Sequence, residues 1–534
     1  MFIPAILILT GRIGEILLSL VEKYRESYIS VKERLREESI MFDDKSIVAR
    51  IAVMSDLHIS YTEYSADEIA EKLRLYASAV ADLRDISNGD LDAVMMCGDY
   101  SSIGCPEQAR TFAQGTQVIF KGIFGNKAPK LLIGMGNHDT CWRPNGYCCI
   151  TAKEWYEIFA QYGLTNDFAD TSDTNLGNIR IDFEKQGRIY SLLYVETENY
   201  AENIFKPETL KWLDEMLLQI TVQNPGRFVF VGTHGPVQES GIYGTDIKLE
   251  DSSDWATAKG NIDRILKKYP QVILFSGHTH LSDELETAIM QVNYTAINVP
   301  GALARDYYMG SERYLDDRYP DHQHGMGIYI EIDDKDNIRI RRINFSTKKA
   351  EITVSYTGRI PNPAAGTWPG EPKELSFVEL ASCRDISDGI SSVYDPDWTI
   401  DAPDPDRRFL KKYSSERGRG IAPRFPQGAA LQVGRSDSGQ IRITFPAAQS
   451  EAYILFYAIH ICCNGAKKEL RALGNWCDIR HGAADGKNHR DAGHFEYELP
   501  SDMDASCEIT VTAVDEYGNI SPVSLNGSLA GSHR

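Results

Sequence analysis

The stretch "LFSGHTHL" (residues 274–281) joins an apolar run to a glycine and two histidines that are one residue apart. Side chains alternate between the two faces of an extended chain, so His278 and His280 can point to the same side. Taken alone, such a triplet is more often structural than catalytic, because the chain has 12 histidines and a triplet can arise by chance. Its meaning depends on the residues that the rest of the sequence places near it.

Short apolar runs alternate with amphipathic stretches between residues 47 and 300. The strand candidates are residues 48–54, 92–97, 130–135, 189–195, 227–232 and 271–276, and the helix candidates lie near residues 66–87, 106–124, 151–163, 207–222 and 257–268. Strands that alternate with helices of this length predict a layered α/β domain with a largely buried sheet. Two further runs of alternating polarity, residues 327–332 and 337–345, predict a hairpin that completes this domain by residue 354.

Five of these strand candidates end in a short burst of polar residues. In chain order the bursts contain Asp56 and His58, then Asp99, then Asn137, His138 and Asp139, then His234, and finally His278 and His280. Ligands of open α/β sheets bind at the carboxyl ends of the strands, so we expect the bursts to converge there. Each fragment alone is weak evidence, but together they supply carboxylates and imidazoles that suit hard or borderline divalent metals. The ordered set therefore predicts a metal site.

The ordered motifs DxH, GD, GNHD, His and GHxH resemble the calcineurin-like metallophosphoesterases over residues 47–345. The resemblance implies an α/β fold, the metallophosphoesterase-type β-sandwich flanked by helices. It also implies a dinuclear site for two divalent metal ions, which could be Mn, Fe or Zn. One metal would be bound by Asp56, His58 and His280, the other by Asn137, His234 and His278, and Asp99 would bridge the two metals.

The resemblance gives the catalytic role to His138, which would contact the phosphate of the substrate and protonate the departing oxygen. Two divalent ions about 3.5–4 Å apart can share a water and lower its pKa, so that a metal-bridging hydroxide attacks phosphorus. Of four positive charges on two metals, Asp56, Asp99 and hydroxide cancel three, which leaves about one for the phosphate. A neutral Asn137 preserves that charge. Asp139 would orient His138 or a ligand, or cap a helix.

The resemblance implies a hydrolase, a metal-dependent phosphoesterase that acts on a small-molecule or macromolecular phosphate ester. Purple acid phosphatases have a tyrosine ligand where this chain has Ser102, and the tyrosine here is Tyr100. Secreted 5′-nucleotidases differ at the positions of Ile59 and Asp139. The closer resemblance is to the bacterial group that includes class III cyclic-nucleotide phosphodiesterases, which slightly favours a phosphodiesterase. A phosphomonoesterase on the same site and a non-catalytic metal-binding scaffold are the alternatives.

Three loops over the predicted metals are expected to set the substrate specificity. These loops are residues 141–149, 235–255 and 304–325. Tyrosine and arginine in the last loop could stack on a base or bind a second charge, and packing at the surface is an equal alternative. Three cysteines in or next to the first loop, Cys141, Cys148 and Cys149, could form a disulfide, line a pocket or be ordinary reduced thiols.

The sequence pattern changes after residue 354. Residues 355–420 are rich in Pro, Gly and Asp and predict a connecting region that lies against the domains. Short alternating strands over residues 421–534 predict a C-terminal all-β sandwich. This sandwich resembles a fibronectin type III domain in Ala513, Val514, Asp515 and Gly518, and it departs from that family at Phe445 and Cys507, where tryptophan and tyrosine are usual.

Residues 1–46 predict an N-terminal amphipathic helical segment. Arg12 and Glu15 interrupt its apolar start well short of the roughly 18 residues that a membrane span needs, and we expect that this segment is not a signal peptide, since it fits that pattern poorly. The expectation is a cytoplasmic protein without a transmembrane span, and the alternative, favoured by the β-sandwich, is a cell-surface or secreted one. The net charge of −20 argues against general binding to nucleic-acid backbones. The sequence leaves the oligomeric state open.

Overall fold

The computed structural model describes a large part of the chain. The described residues are 45–59, 66–101, 104–139, 150–164, 177–196, 205–224, 227–237, 240, 261–269, 271–280, 286–291, 294–303, 325–345, 352–356, 372–377, 398–400, 422–450, 452–463, 465–474, 493–500 and 507–529. The chain divides into two units, Met1–Ser46 and Ile47–Arg534. The predicted amphipathic helix in the first unit and the cysteines Cys141, Cys148 and Cys149 lie outside the described residues.

The α/β part begins with strands and helices in alternation. Its strands are β1 (Ile47–Met54), β2 (Ala93–Cys97), β3 (Lys130–Gly134), β4 (Ile179–Lys185), β5 (Arg188–Tyr194), β6 (Val229–Thr233), β7 (Val272–Ser276), β8 (Ile289–Gln291), β9 (Thr295–Asn298), β10 (Met326–Asp333) and β11 (Ile338–Asn344). Its helices are α1 (Ala66–Ile86), α2 (Pro106–Phe124), α3 (Ala152–Gln161), α4 (Pro207–Gln223) and α5 (Asn261–Leu266). Each strand and helix candidate between residues 47 and 345 overlaps one of these elements.

Three short strands follow, β12 (Ile352–Tyr356), β13 (Pro372–Phe377) and β14 (Trp398–Ile400). The first six-stranded sheet has the order β14-β11-β10-β1-β2-β3. In it β1, β2 and β3 are parallel, and β10 runs antiparallel to β1. The second six-stranded sheet has the order β4-β5-β6-β7-β9-β8, with antiparallel strands only at its two edges.

The two six-stranded sheets pack face to face. Gly232 on β6 lies opposite β2, where a Cβ atom on it would stand 2.7 Å from the sulfur of Met95. The hydroxyl of Tyr194 on β5 donates to the carbonyl of Met135, which follows β3, at 2.6 Å. Outside the sandwich, α1 and α2 cover the first sheet, and α4 and α5 cover the second. Because each buried apolar side chain contributes about 1.5–3 kcal/mol, these layers hold the strand ends in place.

Some strands were not predicted from the sequence. The strands β8, β9 and β14 have three or four residues each, too few to show a period of two. Two of the unpredicted strands, β13 and β14, form within residues 355–420, which the sequence predicts to be a connecting region. The second of them pairs with β11 and extends the first sheet at its edge.

The C-terminal part is all β. Its strands are β15 (Gln432–Arg435), β16 (Ile441–Pro446), β17 (Ile454–Cys463), β18 (Ala466–Leu473), β19 (His494–Glu498), β20 (Cys507–Asp515) and β21 (Leu525–Leu529). They form a three-stranded sheet, β15-β16-β19, and a four-stranded sheet, β18-β17-β20-β21, which share one apolar core. Phe445 fills that core against Tyr457 and Phe495, with ring centroids 5.1 and 5.5 Å apart. The predicted fold class, a layered α/β sandwich followed by an all-β part, is confirmed.

A disulfide that the sequence analysis did not predict joins Cys463 and Cys507. These residues face each other across β17 and β20, with Cα atoms 4.4 Å apart. Which of 10 scattered cysteines meet depends on strand register, and the spacing of the cysteines does not reveal that register. Among the described residues, every helix is too short or too polar to cross a bilayer.

Removing this disulfide is expected to destabilise the C-terminal part. The cysteines are 44 residues apart, and closing a loop of that length in the unfolded chain contributes about 4 kcal/mol of stability. We expect the double variant Cys463→Ala, Cys507→Ala to unfold at lower urea concentration. Cys462→Ala is the matched control, since Cys462 is adjacent and free. Equal stability of double variant and wild type, or a non-reduced peptide map without the Cys463–Cys507 pair, would contradict the assignment.

Candidate metal centre

Seven side chains predicted from the sequence meet at one edge of the sandwich. Each follows a parallel strand: β1 precedes Asp56 and His58, β2 precedes Asp99, β3 precedes Asn137, β6 precedes His234, and β7 precedes His278 and His280. Backbone hydrogen bonds join neighbouring strand ends. The amide of Asp56, after β1, donates to the carbonyl of Gly98, after β2, at 2.9 Å. The amide of His278 donates to the carboxylate of Asp56 at 3.0 Å and so joins the two sheets.

A first group of possible metal ligands contains Asp56, His58, Asp99 and His280, whose ligand atoms all lie within 4.8 Å of one another. The Nε2 atom of His280 is 3.1 Å from the carboxylate of Asp56 and 3.0 Å from the Nε2 atom of His58. The Nε2 atom of His58 is 3.9 Å from the carboxylate of Asp99. Two carboxylates and two imidazoles thus place their ligand atoms around one point, as metal ligands do.

A second group contains Asp99, His234 and His278. The Nε2 atom of His234 lies 3.1 Å from the Asp99 carboxylate, 3.2 Å from Nδ1 of His278 and 2.8 Å from the side-chain oxygen of Asn137. Asp99 is therefore common to both groups. The structure brings all seven predicted residues together, with Asn137 next to the second group.

Backbone carbonyls fix the orientation of two of the imidazole rings. The Nδ1 atom of His234 lies 2.7 Å from the carbonyl oxygen of Cys97, and that of His58 lies 3.3 Å from the carbonyl oxygen of Ser101. A carbonyl can only accept, so both rings donate through Nδ1 and turn Nε2 toward the cluster. These two partners act through their backbone, so the sequence gives no sign of them. Imidazole, carboxylate and amide donors without a thiolate fit Mn, Fe or Zn.

The protonation of the cluster reflects burial and close charges. Burial favours the protonated form of Asp99, but His234 and His138 outweigh it and hold the pKa of Asp99 well below its usual value. Burial and His234 lower the pKa of His278 to about 3, which leaves that ring neutral and able to bind a cation. Burial disfavours a charged His234, yet Asp99 raises the pKa of that ring to about 10. A cation would displace the proton of His234.

The backbone at the site is strained. Eight described residues other than glycine have a left-handed φ, and five of them are predicted ligands, namely Asp56 (54°), His58 (40°), Asp99 (57°), His278 (70°) and His280 (52°). This conformation costs on the order of 1–3 kcal/mol per residue and persists only where the surroundings enforce it. The chain is closely packed here, since a Cβ atom on Gly277 would stand 2.5 Å from the Asp56 carboxylate.

Asp139 organises the loop that carries Asp99. Its buried carboxylate accepts hydrogen bonds from the backbone amides of Asp99, Tyr100, Ser101 and Gly136, at 2.7, 2.9, 3.0 and 2.9 Å. Burial and the nearby Asp99 charge raise the pKa of Asp139 to about 7 against the opposing effect of these hydrogen bonds. Of the roles that the sequence leaves open, the geometry favours the one in which Asp139 orients a ligand.

His138 lies beside the first group of ligands. Its backbone amide donates to the Asp99 carboxylate at 2.8 Å, and its ring meets that of His58 edge to face, with centroids 5.1 Å apart. Unlike the ring of His58, it is only partly buried. Tyr100, in contrast, directs its hydroxyl to the carbonyl of Met96 at 2.9 Å and away from the cluster. Most of the predicted specificity loops, residues 141–149, 235–255 and 304–325, lies outside the described residues.

Residues 49–282 match the family model of the Calcineurin-like phosphoesterase. No curated protein matches the chain. Among solved structures, GAP50, the anchor in the inner membrane complex of Plasmodium, is 11% identical with a TM-score of 0.32, covering 63% of this chain and 90% of its own. Purple acid phosphatase PPD1 from yellow lupin (Lupinus luteus) seeds is 14% identical with a TM-score of 0.33, covering 57% and 52%. The FN3 domain of human collagen XX is 18% identical with a TM-score of 0.14, covering 21% and 91%.

The family match contains all seven predicted ligands and ends just after His280. It thus covers most of the stretch for which the sequence motifs resemble the calcineurin-like enzymes. Together with the two mixed sheets and their flanking helices, it gives residues 49–282 a metallophosphoesterase α/β fold, followed by C-terminal all-β sheets. The resemblance of the C-terminal part to fibronectin type III stays a prediction.

Changing Asp139 to asparagine is expected to weaken metal binding although Asp139 is not itself a ligand. The asparagine side chain keeps the shape of Asp139, but only one of its two terminal atoms can accept the hydrogen bonds that the backbone amides of the Asp99 loop donate. Mutation of a residue that hydrogen-bonds a metal ligand typically lowers metal affinity by about 10–100-fold. We therefore expect the Mn²⁺ affinity, measured by calorimetry, to fall by a factor in that range. Asp437→Asn is the control, because Asp437 is exposed in the C-terminal part. An unchanged Mn²⁺ affinity in Asp139→Asn would refute the role given to Asp139.

Proposed function

We propose that the chain is a metal-dependent phosphoesterase that hydrolyses phosphate esters, with diesters favoured over monoesters. The observation that carries the proposal is the position of Asp99, which is shared by two groups of ligands that each arise from strand ends. The match of residues 49–282 to the Calcineurin-like phosphoesterase model supports the same reaction class.

The residues of the chain would hold two cations side by side, with Asp56, His58 and His280 on one and Asn137, His234 and His278 on the other. Asp99 lies between the two sets, with a carboxylate 3.1 Å from His234 and 3.9 Å from His58. Two divalent ions, when bound, would supply an activated water near neutral pH and neutralise the charge that develops on the phosphate.

The charge of the ligands bears on the substrate. Asp56 and Asp99 are the two acidic residues within the two groups, and Asn137 adds an oxygen without a charge. Such a site keeps a small positive excess, about one charge by formal count, which matches the single negative charge of a phosphodiester. A third carboxylate in the place of Asn137 would cancel that excess.

His138 is the residue that we propose to protonate the leaving group. Its backbone amide is bound by Asp99 and its ring packs against that of His58 in the first group of ligands, while the residue stays partly exposed. A proton donor at that place stabilises the alkoxide that departs, a contribution of about 10²–10⁴-fold in rate.

The expected activity is hydrolysis of bis-p-nitrophenyl phosphate in the presence of Mn²⁺. His138→Ala should lower kcat for a cyclic nucleotide by about 10²–10⁴-fold, because the alkoxide leaving group loses its proton donor. It should lower kcat less for bis-p-nitrophenyl phosphate, whose nitrophenolate leaves without a proton, and calorimetry should show Mn²⁺ still bound. His460→Ala is the control, because His460 lies exposed on β17. Hydrolysis of p-nitrophenyl phosphate alone would favour the monoesterase. A protein that binds Mn²⁺ but leaves all tested phosphate esters intact would favour the scaffold.

The compartment is a further part of the proposal. The Cys463–Cys507 disulfide is typical of an oxidising environment, since thiols are kept reduced in the cytosol. We therefore favour the cell-surface or secreted alternative over the cytoplasmic expectation. Recovery of the chain from its host with this pair reduced would argue for the cytoplasm.

A further inference from the structure

A buried carboxylate lies where the C-terminal β-sandwich contacts the second sheet. The apolar part of this contact joins Leu455, Phe456, Val514 and Tyr517 of the sandwich to a cluster that includes α4, α5, β8 and β9. Within it, Glu516 is only 1% exposed. One oxygen of Glu516 accepts from the amide of Tyr453 at 3.1 Å, and the other accepts from the amide and the hydroxyl of Thr287, both at 3.2 Å.

The turn that carries Glu516 does not itself require a buried acid. Within the described residues the same five-residue turn occurs twice, and in each copy the first aspartate accepts from the backbone and side-chain amides of an asparagine four residues later. These pairs are Asp333 with Asn337 and Asp515 with Asn519. The second residue of each copy is acidic. In the first copy this residue is Asp334, which is exposed, and in the other copy it is Glu516, which is buried. The contact between the two parts, and not the turn, accounts for the burial of Glu516.

Described contacts lead from Thr287 to the metal ligands. Thr287 lies in the 3₁₀ turn Glu286–Ala288, directly before β8. The strand β8 pairs antiparallel with β9, and its first residue, Ile289, lies opposite Ile297. β9 ends at Asn298, whose side-chain oxygen accepts the hydroxyl of Thr279 at 2.8 Å. Thr279 stands between His278 and His280. The β8–β9 hairpin is therefore hydrogen-bonded to the loop that presents both histidines.

We propose that Glu516 is a positioning residue for the metal centre, because it fixes the start of β8 through Thr287. The inference rests on the proposed function, since it requires a metal at His278 and His280. A buried carboxylate costs free energy unless it is fully hydrogen-bonded, and apolar residues would hold two domains together as well. What the carboxylate adds is direction. Metal ligands must be placed to within a few tenths of an ångström, so a directional contact has a use here that an apolar contact lacks.

The test is the Mn²⁺ affinity of the full-length chain, measured by calorimetry and compared with the thermal midpoint. Glu516→Ala should weaken Mn²⁺ binding severalfold, which is less than the about 10–100-fold lost with a direct partner of a metal ligand, because Glu516 acts through Thr287 and the β8–β9 hairpin. Glu516→Gln should give an intermediate value, because its amide can accept on one side only. Thr287→Val should weaken binding in the same direction and add little to Glu516→Ala, since the two residues act through one contact.

Asp334→Ala is the matched control, because it removes the acid at the same place of the other turn and should leave Mn²⁺ affinity unchanged. A Glu516→Ala chain with a lower thermal midpoint and wild-type Mn²⁺ affinity would overturn the inference, as Glu516 would then serve stability alone. Should Glu516→Ala not fold, wild-type affinity in Thr287→Val would overturn it equally. A wild-type chain that binds no Mn²⁺ would instead contradict the proposed function, which separates the two failures.

Discussion

The site depends on the burial of Asp99 between two sets of imidazoles. Its carboxylate is 1% exposed and lies within reach of His58 on one side and His234 on the other. A carboxylate in such a place favours the charged form only because positive or polar partners surround it. The left-handed backbone at five of the predicted ligands shows that the surrounding chain enforces this arrangement against local preference.

The arrangement of strands makes this enforcement possible. Five parallel strands from two sheets end at the same edge, and their loops bond to one another through the backbone, as in the contact of Asp56 with Gly98. Asp139 adds four hydrogen bonds to the loop after β2 and to Gly136. The rigidity of the cluster therefore derives from residues that would not touch a metal. At the far side of the second sheet, Glu516 extends the same support into the C-terminal part.

The sequence predicted most of the α/β fold and the convergence of seven side chains at one edge of the sandwich, because a strand that ends in a polar burst leaves a local signal. It could not predict what depends on register or on the backbone. The carbonyl oxygens of Cys97 and Ser101 orient His234 and His58 whatever side chains those positions carry. The disulfide of β17 and β20 follows from strand pairing, and β14 is too short to show a pattern. The burial of Glu516 arises from a contact between distant parts of the chain.

The metal content of the chain tests the central claim most directly. After dialysis against Mn²⁺, elemental analysis of the wild-type protein should give two metal ions per chain. Asp56→Asn should retain one, because Asp56 belongs to the first group alone, and Asp99→Asn should retain less than one, because Asp99 belongs to both groups. Two metals in Asp99→Asn, or none in the wild type, would contradict a centre built around Asp99.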